Sequence, residues 1–231
     1  MTIFNRLLVL LLLMGLSLPA FSTARQGTWR WRNDNGGETT ATWMADQDTP
    51  ITLTHKNNIR LRIELANIDH NFDLNSETIN LQYTNDGGTS WHVITTDEST
   101  SHFVFSTSSH FNNQDQSTNQ LLSAFGSYGE VQGYLFDTND PNNKHRNLPA
   151  NTTTELEFCI KATDEALDEV TYEFQLLRNS ASVTKETTAA SLFTDFSDLN
   201  EPVKAPLSRW GLALAALLIL LGSLIFKRSV F

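Results

Sequence analysis

Cysteine is nearly absent from this chain of 231 residues. With Cys159 as its only cysteine, the chain forms no internal disulfide, so its stability has to come from a packed core. No motif of a nucleophilic thiol surrounds Cys159. We therefore expect it to be a small residue on a strand.

Basic residues are also scarce, with 16 lysines and arginines against 26 aspartates and glutamates. Four of the basic residues and none of the acidic ones lie in two terminal apolar segments. The middle of the chain therefore holds 12 basic and 26 acidic residues, a net charge of −14. Nucleic acids and anionic lipids require a cationic surface, so we expect neither as a partner.

The common catalytic and metal-binding motifs are missing. The six histidines show no zinc-ligand spacing, and G-x-S-x-G, P-loop and dinucleotide-binding patterns do not occur. Glu155 and Glu157 share a strand face, but spacing alone does not identify a glycosidase pair. We predict no catalytic residue and no cofactor, with calcium kept as an alternative below.

Residues 1–24 have the pattern of a secretory signal peptide. A basic residue precedes the apolar run 7–18, and the small residues Ser22 and Ala24 occupy the −3 and −1 positions of a cleavage site. The pattern predicts export and cleavage by signal peptidase after Ala24. An uncleaved N-terminal anchor is the alternative, against which the break at Pro19 argues.

From Arg25 onward, apolar and polar residues alternate with a period of two. Strict alternation is typical of strands with one buried and one wet face, and it predicts strands over residues 27–32, 59–65, 79–83, 156–162 and 170–176. Weaker patterns predict strands over residues 39–44, 91–95, 102–105, 131–136 and 192–196. Residues 117–125 could form one short helical turn.

Polar turn residues fill the gaps between these strands. Many short strands without interleaved helices indicate an all-β, antiparallel two-sheet sandwich of the immunoglobulin-like kind over residues 25–196. Trp29 and Trp31 alternate onto one face, which favours the core, and together with Trp43 they form an alternative sugar platform. Residues 197–205 read as an extended polar linker.

Residues 84–91 form a turn motif between two predicted strands. Asp86 can accept hydrogen bonds from N–H groups of the turn, Gly88 can take the left-handed conformation, and Trp91 can pack under the hairpin. The motif resembles the Asp-box hairpin of sialidases and other secreted β proteins. That resemblance implies a folding element remote from an active site, so we predict a structural turn.

A second polar stretch is a weak calcium candidate. Asp69, Asn71 and Asp73 place oxygen-bearing side chains at every second position, as calcium loops do. An EF-hand would also need Gly at Leu74 and Glu at Asn80, and it has neither. The interpretation as a solvated turn stands beside the calcium site.

The C-terminal segment, residues 206–231, contains a continuous apolar run over residues 210–226. As a helix this run is about 25 Å long, at the short end of what spans a bilayer. Trp210 at one edge and Lys227 and Arg228 at the other are the expected interfacial anchors, and the basic pair predicts a cytoplasmic C-terminus.

The same segment resembles the IPTL-CTERM class of bacterial C-terminal sorting signals. The resemblance rests on Leu207-Ser208-Arg209-Trp210-Gly211, the apolar run, and the terminal Lys227-Arg228; Pro206 stands one position later than the family's proline. In related classes an exosortase-type transpeptidase cuts before the helix. The resemblance implies a sorting signal formed by Pro206, Leu207, Ser208, Trp210, Gly211, Lys227 and Arg228, and an ordinary membrane anchor is the alternative.

Residues 31–43 also look like the start of a domain found in large, repetitive bacterial surface proteins, for which no enzymatic activity is implied. We therefore expect a non-enzymatic exported surface or envelope protein with an adhesive or structural role. Its domain would face the periplasm from the inner membrane, or pass to the cell surface, and meet a surface glycan or protein. The alternatives are a carbohydrate- or calcium-dependent binding module and a secreted hydrolase.

Overall fold

The computed structural model of the chain describes residues 24–68, 78–117, 120–138 and 148–200. Within these ranges the regular secondary structure consists of strands, apart from one short helical turn. In chain order they are β1 (Ala24–Asn33), β2 (Ile51–Leu53), β3 (Ile59–Asn67), β4 (Ile79–Thr84), β5 (His92–Val93), β6 (Phe103–Phe105), β7 (Asp115–Gln116), β8 (Gly129–Glu130), β9 (Tyr134–Phe136), β10 (Thr152–Ala162), β11 (Thr171–Arg178), β12 (Ala181–Ser182), β13 (Thr184–Lys185) and β14 (Ala190–Thr194).

These strands form two sheets. The larger sheet has eight strands in the order β13-β1-β3-β10-β9-β7, with β6 and β8 also paired to β10. The smaller sheet has six strands in the order β2-β14-β11-β4-β5, with β12 also paired to β11. The predicted all-β, two-sheet class is therefore confirmed.

The expectation of purely antiparallel sheets is wrong. The long central pairs β1–β3, β3–β10 and β4–β11 are antiparallel, but β13 lies parallel to β1, β8 and β9 lie parallel to β10, and β2 lies parallel to β14. A parallel pair needs a long crossover rather than a tight hairpin. The connection between the parallel strands β9 and β10, residues 137–151, has the length that such a crossover needs.

Apolar side chains from both sheets meet in one core. Trp31 of β1 and Phe174 of β11 pack edge to face, with ring centroids 5.3 Å apart. The indole N–H groups of Trp29 and Trp31 donate to the backbone carbonyls of Thr188 and Ser191. Both tryptophans are fully buried, so their predicted core position is confirmed and they cannot serve as a sugar platform.

A hydrogen bond to one polar side chain, Gln26, also crosses between the sheets. The β1–β3 register shifts between Gln26 and Trp29, which marks a β-bulge. At the bulge the fully buried Gln26 turns its Oε1 towards the smaller sheet, where it accepts the backbone N–H of Leu176 at 2.8 Å. The bulge therefore directs the Gln26 side chain towards the smaller sheet, where it accepts a hydrogen bond from a backbone N–H group.

All five strands predicted from strict alternation are present as β1, β3, β4, β10 and β11. The weaker prediction over residues 39–44 is wrong, because this stretch forms turns and a single bridge between Trp43 and Arg32. The helical turn proposed for residues 117–125 is also wrong for its described residues, which are extended or bent. The weaker strands over residues 102–105, 131–136 and 192–196 correspond to β6, β9 and β14 in shifted form.

The predicted wet face of the larger sheet is the main error. Strand β3 is buried at every position, including the charged residues Arg60, Arg62 and Glu64 on the side away from the core. Two segments contact this outer face: residues 34–43, and the described part of residues 106–130, which includes β7 and β8. The alternation of apolar and polar residues indicates that the two faces of a strand differ. It does not indicate whether water or another segment of the chain covers the polar face.

The chain divides into two units between Asp195 and Phe196. In the second unit, Ser197–Asn200 forms one short helical turn, α1, so the predicted extended linker is wrong for these four residues. Residues 201–205 lie outside the described ranges. Among the residues that the structure describes, no helix is long and apolar enough to cross a membrane.

Gly133, which precedes β9, lies against the backbone of β10. A Cβ atom at Gly133 would come within 1.8 Å of the Glu155 carbonyl oxygen, so Gly133→Ala has to push two paired strands apart. We expect it to lower the free energy of unfolding by about 1–3 kcal/mol in urea titrations, as overpacked sites do.

Gly126→Ala is the matched control, because the nearest atom to its added Cβ would be the Ser123 hydroxyl at 3.6 Å. We expect this variant to stay within about 0.5 kcal/mol of the wild type. Equal stability of the Gly133 and Gly126 variants would contradict the close approach of β9 and β10.

Candidate functional site

Five charged side chains meet on the outer face of the larger sheet, where β1, β3 and β10 lie side by side. They are Arg32 on β1, Arg60 and Arg62 on β3, and Glu155 and Glu157 on β10, and none is more than 3% exposed. Residues two apart on a strand share a face, and the register sets Arg32 opposite Arg60 and Arg62 opposite Glu157. We call these five residues the arginine–carboxylate network.

Glu157 is the centre of the network. Its Oε2 accepts from Arg62 Nη1 at 2.8 Å and from Arg32 Nη1 at 3.2 Å, and its Oε1 accepts from Arg60 Nη1 at 3.2 Å. Three guanidinium groups thus surround one buried carboxylate. Charges that have left water require such partners, because an unpaired buried ion is very costly.

Arg62 links this centre to two further carboxylates. Its Nε donates to Glu155 at 2.5 Å and its Nη2 donates to Glu38 at 2.9 Å. Burial disfavours the charged guanidinium, but Glu157 and Glu155 outweigh that effect and raise the pKa of Arg62 above its ordinary value. Arg62 is therefore held permanently as a cation.

Asp34 holds the other end of the network. Arg60 donates to Asp34 Oδ1 through Nε at 2.7 Å and also through Nη2, and the Ser108 hydroxyl donates to the same oxygen at 2.7 Å. Asn58 donates to Oδ2 at 3.1 Å. Burial alone would raise the pKa of Asp34, but the hydrogen bonds from Ser108, Arg60 and Asn58 hold it below the ordinary value.

Cys159 borders this end of the network. It lies on β10, so its predicted place on a strand is confirmed, and it is fully buried. Its thiol donates to Asp34 Oδ2 at 3.7 Å. Burial, reinforced by the negative charge of Asp34, raises the pKa of the thiol well above its usual range. A buried thiol that stays protonated is not a nucleophile.

The loop of residues 34–43 covers one side of the network. Arg32 Nη2 donates to the backbone carbonyls of Glu38 at 2.8 Å and Ala41 at 2.7 Å. The Trp43 ring stacks on the same guanidinium, with Arg32 Cζ 4.4 Å from a ring centroid, and Arg30 Cζ lies 4.6 Å from the ring as well. Arg32 Nε is the atom of this side chain that is buried without a hydrogen-bond partner among the described residues.

The segment of residues 106–130 covers the other side. Glu155 Oε1 accepts the backbone N–H groups of Leu121 at 2.9 Å and Leu122 at 2.6 Å. Glu64 Oε2 accepts the backbone N–H of Ala124 at 2.8 Å. Burial raises the pKa of Glu155, while Arg62 and the two N–H groups oppose the rise. The carboxylates thus satisfy the backbone donors of a segment with little secondary structure of its own.

The chemistry open to this arrangement follows from its partners. Glu155 and Glu157 each accept hydrogen bonds from buried arginine and have no face towards solvent, so neither is placed to act on a substrate as a general acid or base. The geometry instead joins three strands and two covering loops through charge-assisted hydrogen bonds. In the described part of the chain, no group of three or more His, Cys, Asp or Glu residues is arranged to hold a metal ion.

The Asp-box-like turn lies between β4 and β5. Asp86 Oδ1 accepts the Ser90 backbone N–H at 2.9 Å and the Thr84 hydroxyl at 2.7 Å. Gly88 has a positive φ of 89°, which favours glycine, and its position approaches the Trp91 ring to within ordinary van der Waals distance. The turn is exposed and far in sequence from the network residues.

The remaining predicted site residues have no described site. Ala24 is the first residue of β1, where it is fully buried and pairs with Asn67. The calcium candidates Asp69, Asn71 and Asp73 lie outside the described residues. So do the residues of the predicted sorting signal: Pro206, Leu207, Ser208, Trp210, Gly211, Lys227 and Arg228.

Sequence reasoning missed the arginine–carboxylate network, although a signal for it exists. Arg60 and Arg62 follow each other on the polar face of one strand, and Glu155 and Glu157 follow each other on the polar face of another. Opposite charges at the same i, i+2 spacing fit strands that lie side by side. Reading that pattern requires knowing that β3 pairs with β10.

The central carboxylate gives a direct test of the network. Glu157→Gln keeps the size of the side chain but leaves three buried guanidinium groups without their shared charge. We expect a loss of about 3–5 kcal/mol in the free energy of unfolding, the cost typical of breaking a buried ion pair from one side. Chemical denaturation followed by tryptophan fluorescence measures it.

Glu130→Gln is the control, because Glu130 is an exposed glutamate of the same sheet. We expect it to change stability by less than about 0.5 kcal/mol. Similar small effects of both substitutions would show that the negative charge of Glu157 does not stabilise the network.

The Asp86 turn predicts a local pH dependence. The Ser90 N–H and the Thr84 hydroxyl lower the pKa of Asp86 from its ordinary 3.8 to about 2. A lowered carboxyl pKa contributes stability that is complete above pH 3.8 and is lost as the pH falls through about 2. Carboxyl-carbon NMR of the wild type should show the Asp86 midpoint near 2, and Asp86→Asn should remove this part of the acid response.

Thr84→Val is the matched variant for this titration, because it keeps the β-branched shape and removes the hydroxyl donor. We expect the Asp86 midpoint to move up towards 3.8 in Thr84→Val. A wild-type midpoint already near 3.8 would contradict the hydrogen-bonded turn.

Comparisons with known proteins identify no relative of this chain. No protein-family model matches the chain, no curated protein is significantly similar to it, and no solved structure matches its fold. The function of the chain therefore has to be inferred from its own residues.

Proposed function

We propose that this chain is a non-enzymatic exported surface or envelope protein of a bacterium, which displays one β domain and carries a C-terminal sorting signal. The observation that carries the proposal is the order of the last segment: Leu207-Ser208-Arg209-Trp210-Gly211, the apolar run 210–226, and then Lys227-Arg228. Together with the signal-like residues 1–24, it supports export followed by membrane insertion.

The displayed domain would be an immunoglobulin-like sandwich. In support, the chain passes repeatedly from one sheet to the other, since β3 is followed by β4 and β10 by β11 in the opposite sheet. Crossing connections of this kind are a feature of immunoglobulin-like sandwiches. Residues 197–205 would then separate the domain from the membrane.

A passive role is supported by the way the interior charges are used. Glu155 and Glu157 bind arginine, and Cys159 is a buried, protonated thiol. An exported domain without disulfides needs another source of cohesion, and the arginine–carboxylate network supplies cross-strand links in their place. These features fit a durable display domain of adhesive or structural function.

The partners follow from the surface charge. Arg32, Arg60 and Arg62 are buried, so three of the few basic residues are withdrawn from a surface that is already acidic. Such a surface disfavours nucleic acid and favours a protein or glycan partner at the cell surface. On the way there, the chain would meet signal peptidase, the inner membrane and an exosortase-type sorting enzyme.

Mass spectrometry of the mature C-terminus tests the proposal. In the native host we expect a terminus near Ala205, because a sorting enzyme would cut before the apolar run. Trp210→Ala changes the distinctive part of the motif and should leave the chain uncut and retained in the inner-membrane fraction.

Arg209→Ala is the matched control, because Arg209 occupies the variable position of the motif beside Trp210. We expect it to be processed like the wild type. An intact Phe231 in the wild type would overturn the sorting signal and leave a protein with a permanent membrane anchor.

A further inference from the structure

Two histidines and two tyrosines gather at one end of the core, where β4, β5, β6 and β11 meet. The Tyr83 ring stacks near both imidazoles, with centroids 5.3 Å from His92 and 5.8 Å from His102. Tyr172 packs edge-on against His102 at 5.7 Å and also contacts Phe103 of the core. This cluster takes no part in the arginine–carboxylate network or in the proposed sorting.

A short chain of hydrogen bonds runs through the cluster to a surface loop. The backbone N–H of Leu167 donates to the Tyr172 hydroxyl at 2.9 Å, and that hydroxyl lies 2.9 Å from His102 Nδ1. On the other side, the backbone N–H of His102 donates to the Tyr83 hydroxyl at 2.9 Å. Leu167 belongs to the loop of residues 163–170, which joins β10 to β11.

Which group donates in the Tyr172–His102 hydrogen bond depends on the tautomer of the imidazole. The Tyr172 oxygen already accepts the Leu167 N–H, so its own hydrogen is free to donate to His102 Nδ1. Nδ1 can accept only when it carries no hydrogen, which requires a neutral imidazole protonated on Nε2. We therefore assign to His102 the neutral tautomer with its hydrogen on Nε2, in which the Tyr172 hydroxyl donates to Nδ1.

We propose that His102 acts as a pH-sensitive clamp on the 163–170 loop. Its neutral imidazole holds the Tyr172 hydroxyl, which in turn binds the Leu167 backbone N–H. Protonation of His102 releases the loop at Leu167. A second hydrogen on Nδ1 would point at the Tyr172 oxygen. The Tyr172 hydroxyl hydrogen would then lose its acceptor on His102 and rotate away, which disturbs the arrangement in which the oxygen accepts the Leu167 N–H. Losing this alignment of a half-buried group weakens both hydrogen bonds.

The charges around His102 favour a clamp that responds to mild acid. The titratable groups that face it are His92 on β5, Tyr83 on β4, Tyr172 on β11 and Glu165 in the loop itself. Burial, with a further contribution from His92, lowers the pKa of His102 below its ordinary 6.5, and Glu165 opposes the shift. Stability from a lowered histidine pKa is complete above pH 6.5 and is lost as the pH falls below it.

The released segment has a distinctive surface. Leu167 is 47% exposed, and acidic residues lie on both sides of it in the sequence, including Asp164 and Glu165 before it. A second anchor holds the C-terminal half of the loop: the Thr194 hydroxyl donates to the Leu167 carbonyl at 2.8 Å. Protonation of His102 would therefore loosen the segment between Thr163 and Leu167 without detaching the loop.

Amide hydrogen exchange in the full chain, purified in detergent, tests the clamp residue by residue. We expect the protection of the Leu167 amide, corrected for intrinsic exchange, to fall roughly tenfold per pH unit above the pKa of His102, where the protonated fraction rises by that factor, and to level off below that pKa. The Ile63 amide in the centre of β3 should keep its protection over the same range.

Three variants separate the clamp from general acid sensitivity. His102→Asn offers an acceptor near the position of Nδ1 without a titration, and should keep Leu167 protected in acid. Tyr172→Phe retains the ring and should lower Leu167 protection at every pH. His110→Gln, at an exposed histidine outside the cluster, should behave as the wild type.

The wild-type measurement alone can overturn the proposal. If His102 titrates by NMR while Leu167 protection stays constant, protonation does not release the loop. The same conclusion follows if His102→Asn loses Leu167 protection in acid as the wild type does. Cleavage of the C-terminal segment has no bearing on either result, so the clamp and the proposed sorting fail independently.

Discussion

One buried carboxylate with three arginines constrains the larger sheet. Glu157 binds Arg32, Arg60 and Arg62 from two neighbouring strands, with none of the four groups in water. A slip of one residue between β3 and β10 would turn these charges towards the apolar core and leave them unpaired. The network therefore fixes strand register, a task that hydrophobic contacts perform with less specificity.

The network also explains how long polar loops become part of a compact domain. Glu155 and Glu64 accept backbone N–H groups of the 106–130 segment, and Arg32 and Arg60 donate to backbone carbonyls of the 34–43 loop. The sheet thus has a hydrophobic core on one face and a charged, hydrogen-bonded layer on the other. The charged groups of this layer bind one another and the covering segments instead of facing solvent. This agrees with the proposed role in display rather than catalysis.

Contacts between residues close in sequence could be predicted from the sequence, whereas contacts between distant residues could not. Asp86 and Gly88 interact within a few positions of the chain, so residue order alone suggested the turn geometry found at that site. Arg62 and Glu157 are 95 positions apart, and their contact depends on the pairing of β3 with β10. The His102–Tyr172 contact is non-local in the same way, with 70 positions between the two residues.

Residue order and composition predicted the long strands, the inward tryptophans Trp29 and Trp31, and a fold without disulfides. These follow from side-chain alternation and composition, which act along the chain. The parallel strand pairs and the burial of the polar face of β3 became visible only in the folded chain. The reason is physical: alternation separates two faces of a strand, but the cover over each face comes from distant segments whose contacts form only on folding.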